Sequence, residues 1–325
     1  MGLGDVVEST LTTATHAAWD VEAKAFEKWH GPPKMLTDQD DLQALDNTAF
    51  IKDGKWTAEF VISIFDRRDE NRSHKFADEL MGLLHVKKGE VHWTRVEYFV
   101  AVPRENICLD LLQEGGTSIF QVGPTYPNGI MSKNIAFPDE GRRWVQGDRT
   151  KFNVITPPSF PDHHDLTTGF AQETGWGVIS GTFSHVWGLI SDIDDTIKIS
   201  DVLNRRKLLH NTFVVDHGTP VPGMPELYRT LVDRLSNPTF MYLSASPWQL
   251  YPFLLDFVRT NYPWGQIILR DMSFLELWSF IASLTIGTKE FKEDRMKKIH
   301  RWLPHKQWLC IGDSTQKDPE AYGTM

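Results

Sequence analysis

The chain has 325 residues, a length that allows about two domains, and 41% of its residues are hydrophobic, as in globular proteins. A formal net charge of −9 gives no support to a general nucleic-acid-binding function, and two cysteines are too few for a disulfide framework. The sequence shows no signal peptide and no apolar run of the ~18 residues needed to cross a membrane, so we expect a cytoplasmic protein, with peripheral membrane association left open.

The segment from Asp5 to Trp29 is predicted to be a helix, because its apolar residues recur with a period near 3.6 until Pro32 and Pro33 interrupt the pattern. Such a helix either packs on the body of the protein or lies on a membrane or partner surface. Acidic residues outnumber its few basic ones, which argues against strong binding to anionic lipid. We assign residues 1–49 to this helix and a linker.

Residues 50–187 are predicted to form a β-rich, sandwich-like domain, because short runs of strand-forming residues alternate with turn residues. The predicted strands are Thr57–Phe65, His92–Val102, Ile107–Leu112, Ser118–Val122, Ile130–Phe137, Lys151–Ile155 and Gly177–Phe183. Arg67–Arg72 is predicted to be a charged loop. The neighbouring His163, His164 and Asp165 are residues that bind metals, but in a polar loop they are more typical of solvated side chains.

From about Gly188 onward, apolar strands alternate with helical segments, which predicts a parallel sheet covered on both faces. The predicted strands are Gly188–Ile193, Thr239–Ser244, Gln266–Leu269 and Gln307–Gly312, and the predicted helices are Glu226–Leu235, Trp248–Arg259 and Lys289–Leu303. The fold class is therefore α/β, in which residues 188–325 form a domain with a Rossmann-like parallel sheet.

Polar residues follow three of these strands, at the carboxyl ends where ligands bind in such sheets. They are Asp192, Asp194 and Thr196, then Ser244 and Ser246, then Asp313 and Asp318, with Lys292 on the helix before the last strand. Neighbouring carboxylates repel each other, and Mg²⁺, which prefers hard oxygen ligands, is the simplest way to stabilise them. Taken alone, the first acidic run is also compatible with a strand end that has no function. The whole set has the chemistry of a metal-assisted phosphate site.

The segments DIDDT, YLS and GDSTQKD, with Lys292 between the last two, resemble in order the four motifs of the haloacid dehalogenase-like phosphohydrolases. The flanking residues, as in SDIDDTIKIS, SASPW and GDSTQKDPE, are similar to the catalytic domain of the fungal actin-patch phosphatidate phosphatases, over about Gly188 to Tyr322. The resemblance implies a haloacid dehalogenase-like fold, Mg²⁺ as the cofactor and phosphatidate or a related phospholipid as the substrate. It also implies actin-patch or endocytic proteins as partners.

The resemblance further implies that Asp192 is the nucleophile and forms an aspartyl phosphate. Asp194 would be the general acid and base, and we expect its pKa to be displaced toward the working pH. Asp192, Asp194 through its carbonyl oxygen, and Asp313 would coordinate Mg²⁺, with Asp318 as a further ligand or a support for one.

Ser244 and Lys292 would bind the phosphoryl oxygens, and Thr196 would support the loop. Lys289 and Lys297 compete with Lys292 for this role, but the spacing of Lys292 to the last strand fits best. The resemblance also implies a further helix and strand after Asp313, whereas this sequence ends soon afterward. We therefore expect weaker support behind Asp318.

Three functions stay open on the sequence: a phosphatidate phosphatase, a phosphatase of a soluble phosphomonoester, and a non-catalytic membrane-trafficking or actin-patch adaptor. The intact set of acids and lysine argues against the adaptor. The intervals after Thr196 and Ser246 are short for a large cap domain, which favours an open crevice and a lipid headgroup. Phe274–Ile286 and Asn204–Lys207 would then contact the membrane; otherwise they are a packed helix and a solvated face.

Overall fold

The computed structural model of the chain describes residues 32, 34, 36–37, 40–67, 69–137, 144–156, 165–172, 174–176, 183–185, 187–270, 288–314 and 318–323. The predicted helix from Asp5 to Trp29, the apolar segment Phe274–Ile286, and His163 and His164 lie outside these residues. None of the described helices is long and apolar enough to cross a membrane.

The first part of the chain is β-rich, as predicted. Its strands are β1 (Asp41–Ala44), β2 (Asn47–Lys52), β3 (Lys55–Asp66), β4 (Val102–Pro103), β5 (Leu109–Gln113), β6 (Ile119–Val122), β7 (Ile130–Ala136), β8 (Arg149–Ile155) and β9 (Asp165–Phe170). Hydrogen bonds connect all nine into one sheet with the order β1-β3-β2-β9-β8-β5-β6, and β4 and β7 pair with β3. Phe60 and Phe152 lie in the hydrophobic core of this part, and its sandwich-like arrangement stays a prediction. Two short strands, β10 (Thr174–Trp176) and β11 (Phe183–His185), pair with each other.

Two helices in this part differ from the prediction. Helix α1 (Glu70–Leu84) begins inside the predicted charged loop, where the side chain of Asp69 accepts a hydrogen bond from the backbone N–H of Arg72. Helix α2 (Trp93–Val100) replaces the predicted strand His92–Val102, which was wrong. Apolar and polar residues alternate in part of this segment, as in a strand. Its buried residues, Val96, Phe99 and Val100, nevertheless recur at the spacing of a helix. The sheet also begins at Asp41, before the predicted start at residue 50.

The second part is a four-stranded parallel sheet with helices between the strands, which confirms the predicted α/β class. Its elements are β12 (Trp187–Asp192), α3 (Arg205–Phe213), α4 (Met224–Arg234), β13 (Thr239–Pro247), α5 (Tyr251–Asn261), β14 (Gln266–Arg270), α6 (Thr288–Trp302), β15 (Gln307–Ile311) and α7 (Asp318–Tyr322). The strand order is β14-β13-β12-β15, so β12 lies between two parallel neighbours. The carboxyl end of β12 is therefore flanked by the carboxyl ends of β13 and β15.

The two parts of the chain pack on shared hydrophobic cores. Phe50 of β2 packs in one cluster with Ile190 of β12 and stacks on Trp302 of α6, with ring centroids 5.3 Å apart. Phe99 of α2 packs in another cluster with Leu189 of β12. The predicted boundary at residue 188 is thus crossed by two cores, which pack on the two opposite faces of the central strand β12.

Candidate functional site

The central strand β12 ends in a tight turn that brings two acids to one place. Asp192 is the last residue of the strand, and the backbone N–H of Ile193 still bonds to the carbonyl of Leu243 on β13. The chain then turns, and the carbonyl of Ile193 accepts the N–H groups of Ile197 and Lys198. Because the strand stops before Asp194, that residue escapes the alternation of side chains along a strand.

The carboxylate of Asp195 holds the next part of the chain in place. It accepts three successive backbone N–H groups, those of Ser200, Asp201 and Val202, at 2.8, 2.7 and 2.7 Å. Asp195 itself has a positive φ of 60°, a conformation that aspartate tolerates better than most residues. The third acid of the DIDDT segment therefore builds the loop, a role that the sequence did not predict.

A buried lysine joins Asp192 to a second acid. The Nζ atom of Lys292, on α6, lies 2.6 Å from Oδ1 of Asp192 and also donates to Oδ1 of Asp318, the first residue of α7. All three side chains are buried. The hydroxyl of Thr196 donates to the other oxygen of Asp192 at 2.9 Å, and the backbone of Asp313 donates to Asp318. The structure thus brings four of the predicted site residues together with Thr196 at the carboxyl end of β12. The four are Asp192, Lys292, Asp313 and Asp318.

The charge of Asp192 is not fully balanced by this arrangement. Burial raises the pKa of its carboxyl above the usual range, although the Lys292 ammonium acts in the opposite direction. Burial also raises the pKa of Asp318, and the negative charge of Asp318 raises the pKa of Asp192 further. One ammonium between two buried carboxylates leaves a net negative charge, so ionisation of both acids needs further positive charge.

Asp194 lies in a separate group of polar side chains. Its Oδ2 accepts hydrogen bonds from the hydroxyls of Ser244 at 2.6 Å and Ser246 at 3.2 Å, both on β13. Its Oδ1 accepts one from the hydroxyl of Ser200 at 2.6 Å and pairs with Nζ of Lys198 at 3.1 Å. Ser244, which was predicted to bind a phosphoryl oxygen, thus contacts Asp194, the residue predicted to act as general acid and base.

The expected displacement of the Asp194 pKa toward the working pH was wrong. Burial alone would raise the pKa of Asp194, but Lys198 and the hydroxyls of Ser200 and Ser244 together outweigh it and lower the pKa to about 2. The reason is local, because Lys198 follows Asp194 by one turn of the loop and its ammonium is buried beside it. In this arrangement Asp194 is ionised at neutral pH.

Of the three lysines considered for phosphate binding, the structure places Lys292 beside Asp192, and its role in binding phosphate stays a prediction. Lys292 is fully buried, whereas Lys297 is exposed and Lys289 forms an ion pair with Glu293 along the helix. Asp318 contacts Lys292, which makes it a support for that lysine. Whether it also contributes to a metal site stays a prediction.

Sequence reasoning missed Lys198, Ser200 and Tyr228. Lys198 and Ser200 continue the spacing of two that begins at Asp192, and this regularity was the available signal. No signal in the sequence pointed to Tyr228 of α4. Its hydroxyl donates at 2.6 Å to the hydroxyl of Ser191, which in turn donates at 2.7 Å to the carbonyl of Asp192. The contact depends on where α4 packs.

The acids and lysines of the site form a donor set with excess negative charge. Four buried carboxylates, those of Asp192, Asp194, Asp313 and Asp318, are accompanied by two buried ammonium groups, those of Lys198 and Lys292. The excess negative charge and the hard oxygen donors fit a divalent cation. In the described part of the chain, no three Asp, Glu, His or Cys side chains are close enough to hold a metal by themselves. Two carboxylates would therefore have to be completed by a backbone carbonyl and water.

The fold and this group of residues define a class: a parallel α/β domain with a buried cluster of acids and lysine at the carboxyl end of its central strand. Residues 187–325 match the model of the family described as the catalytic domain of phosphatidate phosphatase APP1. This part of the chain is therefore similar to that catalytic domain.

Two curated relatives extend the comparison. The chain is similar to phosphatidate phosphatase APP1 of Saccharomyces cerevisiae, with 35% identity over 309 residues, which cover 90% of this chain and 44% of the yeast protein. It is also similar to an uncharacterised protein of Schizosaccharomyces pombe, with 28% identity over 141 residues, which cover 42% of this chain and 22% of that protein. The chain thus spans less than half the length of either relative.

Proposed function

We propose that the chain is a Mg²⁺-dependent phosphatidate phosphatase with a haloacid dehalogenase-like catalytic domain, and that it hydrolyses phosphatidate to diacylglycerol and phosphate. The observation that carries this proposal is the contact of buried Lys292 with Asp192, at the carboxyl end of a central parallel strand. An ammonium at that place lowers the cost of bringing a phosphate dianion to a carboxylate.

The two acids have different tasks in the proposed reaction. An oxygen of Asp192 attacks phosphorus and forms an aspartyl phosphate, while the bond from phosphorus to the oxygen of diacylglycerol breaks. That oxygen takes a proton from Asp194. A water molecule then attacks the phosphorus and gives a proton to Asp194, which releases phosphate and restores Asp192.

The surroundings of Asp194 fit the second step directly. Lys198 and the hydroxyls around Asp194 favour its ionised form, which is the form that accepts a proton from water. The first step requires the protonated form, which the negative charge of a bound phosphate would favour. Ser200, Ser244 and Ser246 fix the direction of the carboxylate in both steps.

Mg²⁺ would be held by Asp192, Asp313 and the carbonyl oxygen of Asp194. When bound, the cation supplies the positive charge that the acids lack and polarises the phosphoryl group. Lys292 then keeps Asp192 ionised and positions it, with Asp318 holding the lysine from the other side.

The substrate class is supported by the relative from Saccharomyces cerevisiae, whose name gives phosphatidate as its substrate. A soluble phosphomonoester is the alternative substrate. No cap domain is described between β12 and β13, where the chain forms only α3, α4 and connecting turns. We therefore propose a headgroup that reaches the site from a membrane surface, with peripheral association of the protein.

The test is phosphate release from phosphatidate vesicles and from soluble phosphomonoesters, with and without Mg²⁺. We expect Mg²⁺-dependent release with a preference for phosphatidate, and a loss of about 10³-fold or more in Asp192→Asn. Asp233→Asn, which changes an exposed acid on α4, is the matched control and retains activity. Turnover by Asp192→Asn at the normal rate would overturn the mechanism. A strong preference for a soluble ester would show that phosphatidate is not the substrate and would favour the soluble phosphomonoester instead.

A further inference from the structure

The loop after the candidate site has a fixed shape. Its backbone from Ser200 to Val202 is held by the carboxylate of Asp195, and the N–H of Asn204 bonds to the carbonyl of Asp201 at 2.8 Å. The same loop contacts the site, because the hydroxyl of Ser200 donates to Asp194. A residue presented by this loop therefore has a defined position beside the site.

That loop exposes a leucine to solvent. Leu203 is 77% exposed, the highest value among the large hydrophobic residues of the described ranges, and Ile119 on β6 follows with 60%. A leucine side chain that stays in water does not stabilise the folded loop. Burial of such a side chain in an apolar medium is favourable, so the exposed position fits a partner that offers one.

Basic residues follow the leucine without any acid among them. Helix α3 begins with Arg205, Arg206 and Lys207, all exposed, and the helix contains no acidic residue. Arg206 reaches the carbonyl of Leu84, and Lys207 pairs with Asp201 at 3.2 Å, so one acid accompanies three cations. This local charge is opposite to the net charge of −9 of the whole chain.

We propose that residues 201–207, which we call the docking loop, bind the surface of an anionic phospholipid membrane. Leu203 enters the boundary between headgroups and acyl chains, and Arg205 and Lys207 contact the headgroup phosphates. Because the net charge of the protein is negative, contact with such a surface depends on this local positive region. The inference rests on the proposed function in one respect: it explains how the site meets a lipid substrate.

The first test measures binding of the full chain to vesicles and needs no catalysis. The probes are sedimentable vesicles of phosphatidylcholine with and without a share of phosphatidylserine. We expect binding only to the anionic vesicles, weakened about tenfold by Leu203→Thr and about fivefold by Arg205→Ala, and reduced by high salt. Ile119→Thr, the same loss of an exposed apolar side chain elsewhere, is the matched control and leaves binding unchanged.

The second test separates docking from chemistry. Leu203→Thr should lower phosphate release from phosphatidate in vesicles and leave release from a monomeric short-chain phosphatidate unchanged. Unchanged vesicle binding in both Leu203→Thr and Arg205→Ala overturns the docking loop, as does equal binding to neutral vesicles. If the proposed function fails, phosphatidate is not hydrolysed in any form, whereas vesicle binding still tests the docking loop.

Discussion

The Nζ atom of Lys292 lies 2.6 Å from Oδ1 of Asp192, and both side chains are buried. The pair is not self-sufficient, because Lys292 also contacts Asp318 and burial raises the pKa of Asp192. A charged pair in this setting is costly to assemble, and replacing such pairs with apolar side chains is often neutral for stability. The arrangement is thus better explained by a need for reactive charge than by stability.

Removal of the lysine should have a measurable cost. Lys292→Met leaves Asp192 and Asp318 facing each other without a cation, and we expect a loss of about 3 kcal/mol in the free energy of unfolding, measured with denaturant. The double variant Lys292→Met/Asp318→Asn should recover part of that loss, because only one buried carboxyl group then remains without its ammonium partner. Full additivity of the two changes would contradict the ion-pair network.

Asp195 should control the loop and the site together. Asp195→Ala removes the acceptor of three backbone N–H groups, those of Ser200, Asp201 and Val202. We expect a loss of about 2 kcal/mol in unfolding free energy and faster hydrogen exchange at these amides. Asp233→Asn again serves as the control. Unchanged exchange at the three amides would show that the carboxylate does not hold the loop.

A divalent cation should stabilise the folded chain through Asp192. A ligand that binds only the folded state raises the midpoint temperature, and about 3 °C or more is expected at saturating Mg²⁺ for a chain of this size. Asp192→Asn removes one proposed donor and should abolish the shift. The measurement is thermal unfolding with increasing Mg²⁺. An equal shift in the variant would place the cation elsewhere.

The sequence predicted the strand ends well because the signals there are local. Three of the four apolar strands of the second part are followed by polar site residues, and parallel strands bring these ends to one edge; Lys292 followed from the position of its helix. The environment of Asp194 was not predictable in this way. Lys198 reaches Asp194 only because the chain turns after Ile193. That turn is held by a hydrogen bond from the backbone N–H of Asp195 to the carbonyl of Lys198.

Helix α2 shows a different limit. Its segment contains aromatic and β-branched residues, which favour a strand by local preference. Packing decides instead, because Val96, Phe99 and Val100 at helical spacing complete the core beside α1 and α3. That information lies in distant residues such as Phe76 and Phe213 and is not present in the segment itself.

The thiol of Cys310 gives a pH-dependent test of the packing of β15. Burial raises the pKa of this thiol to about 11, so the reactive thiolate is scarce at pH 8. In the variant Cys108→Ser, we expect alkylation of Cys310 to be about 100-fold slower in the folded chain than in denaturant at pH 8. The rate in the folded chain should rise about tenfold per pH unit up to pH 10, because the thiolate fraction grows by that factor below the pKa. The measurement is the rate of iodoacetamide labelling followed by mass. Rapid labelling of the folded chain at pH 8, or a rate that is constant with pH, would show that β15 does not shield Cys310 as the structure describes.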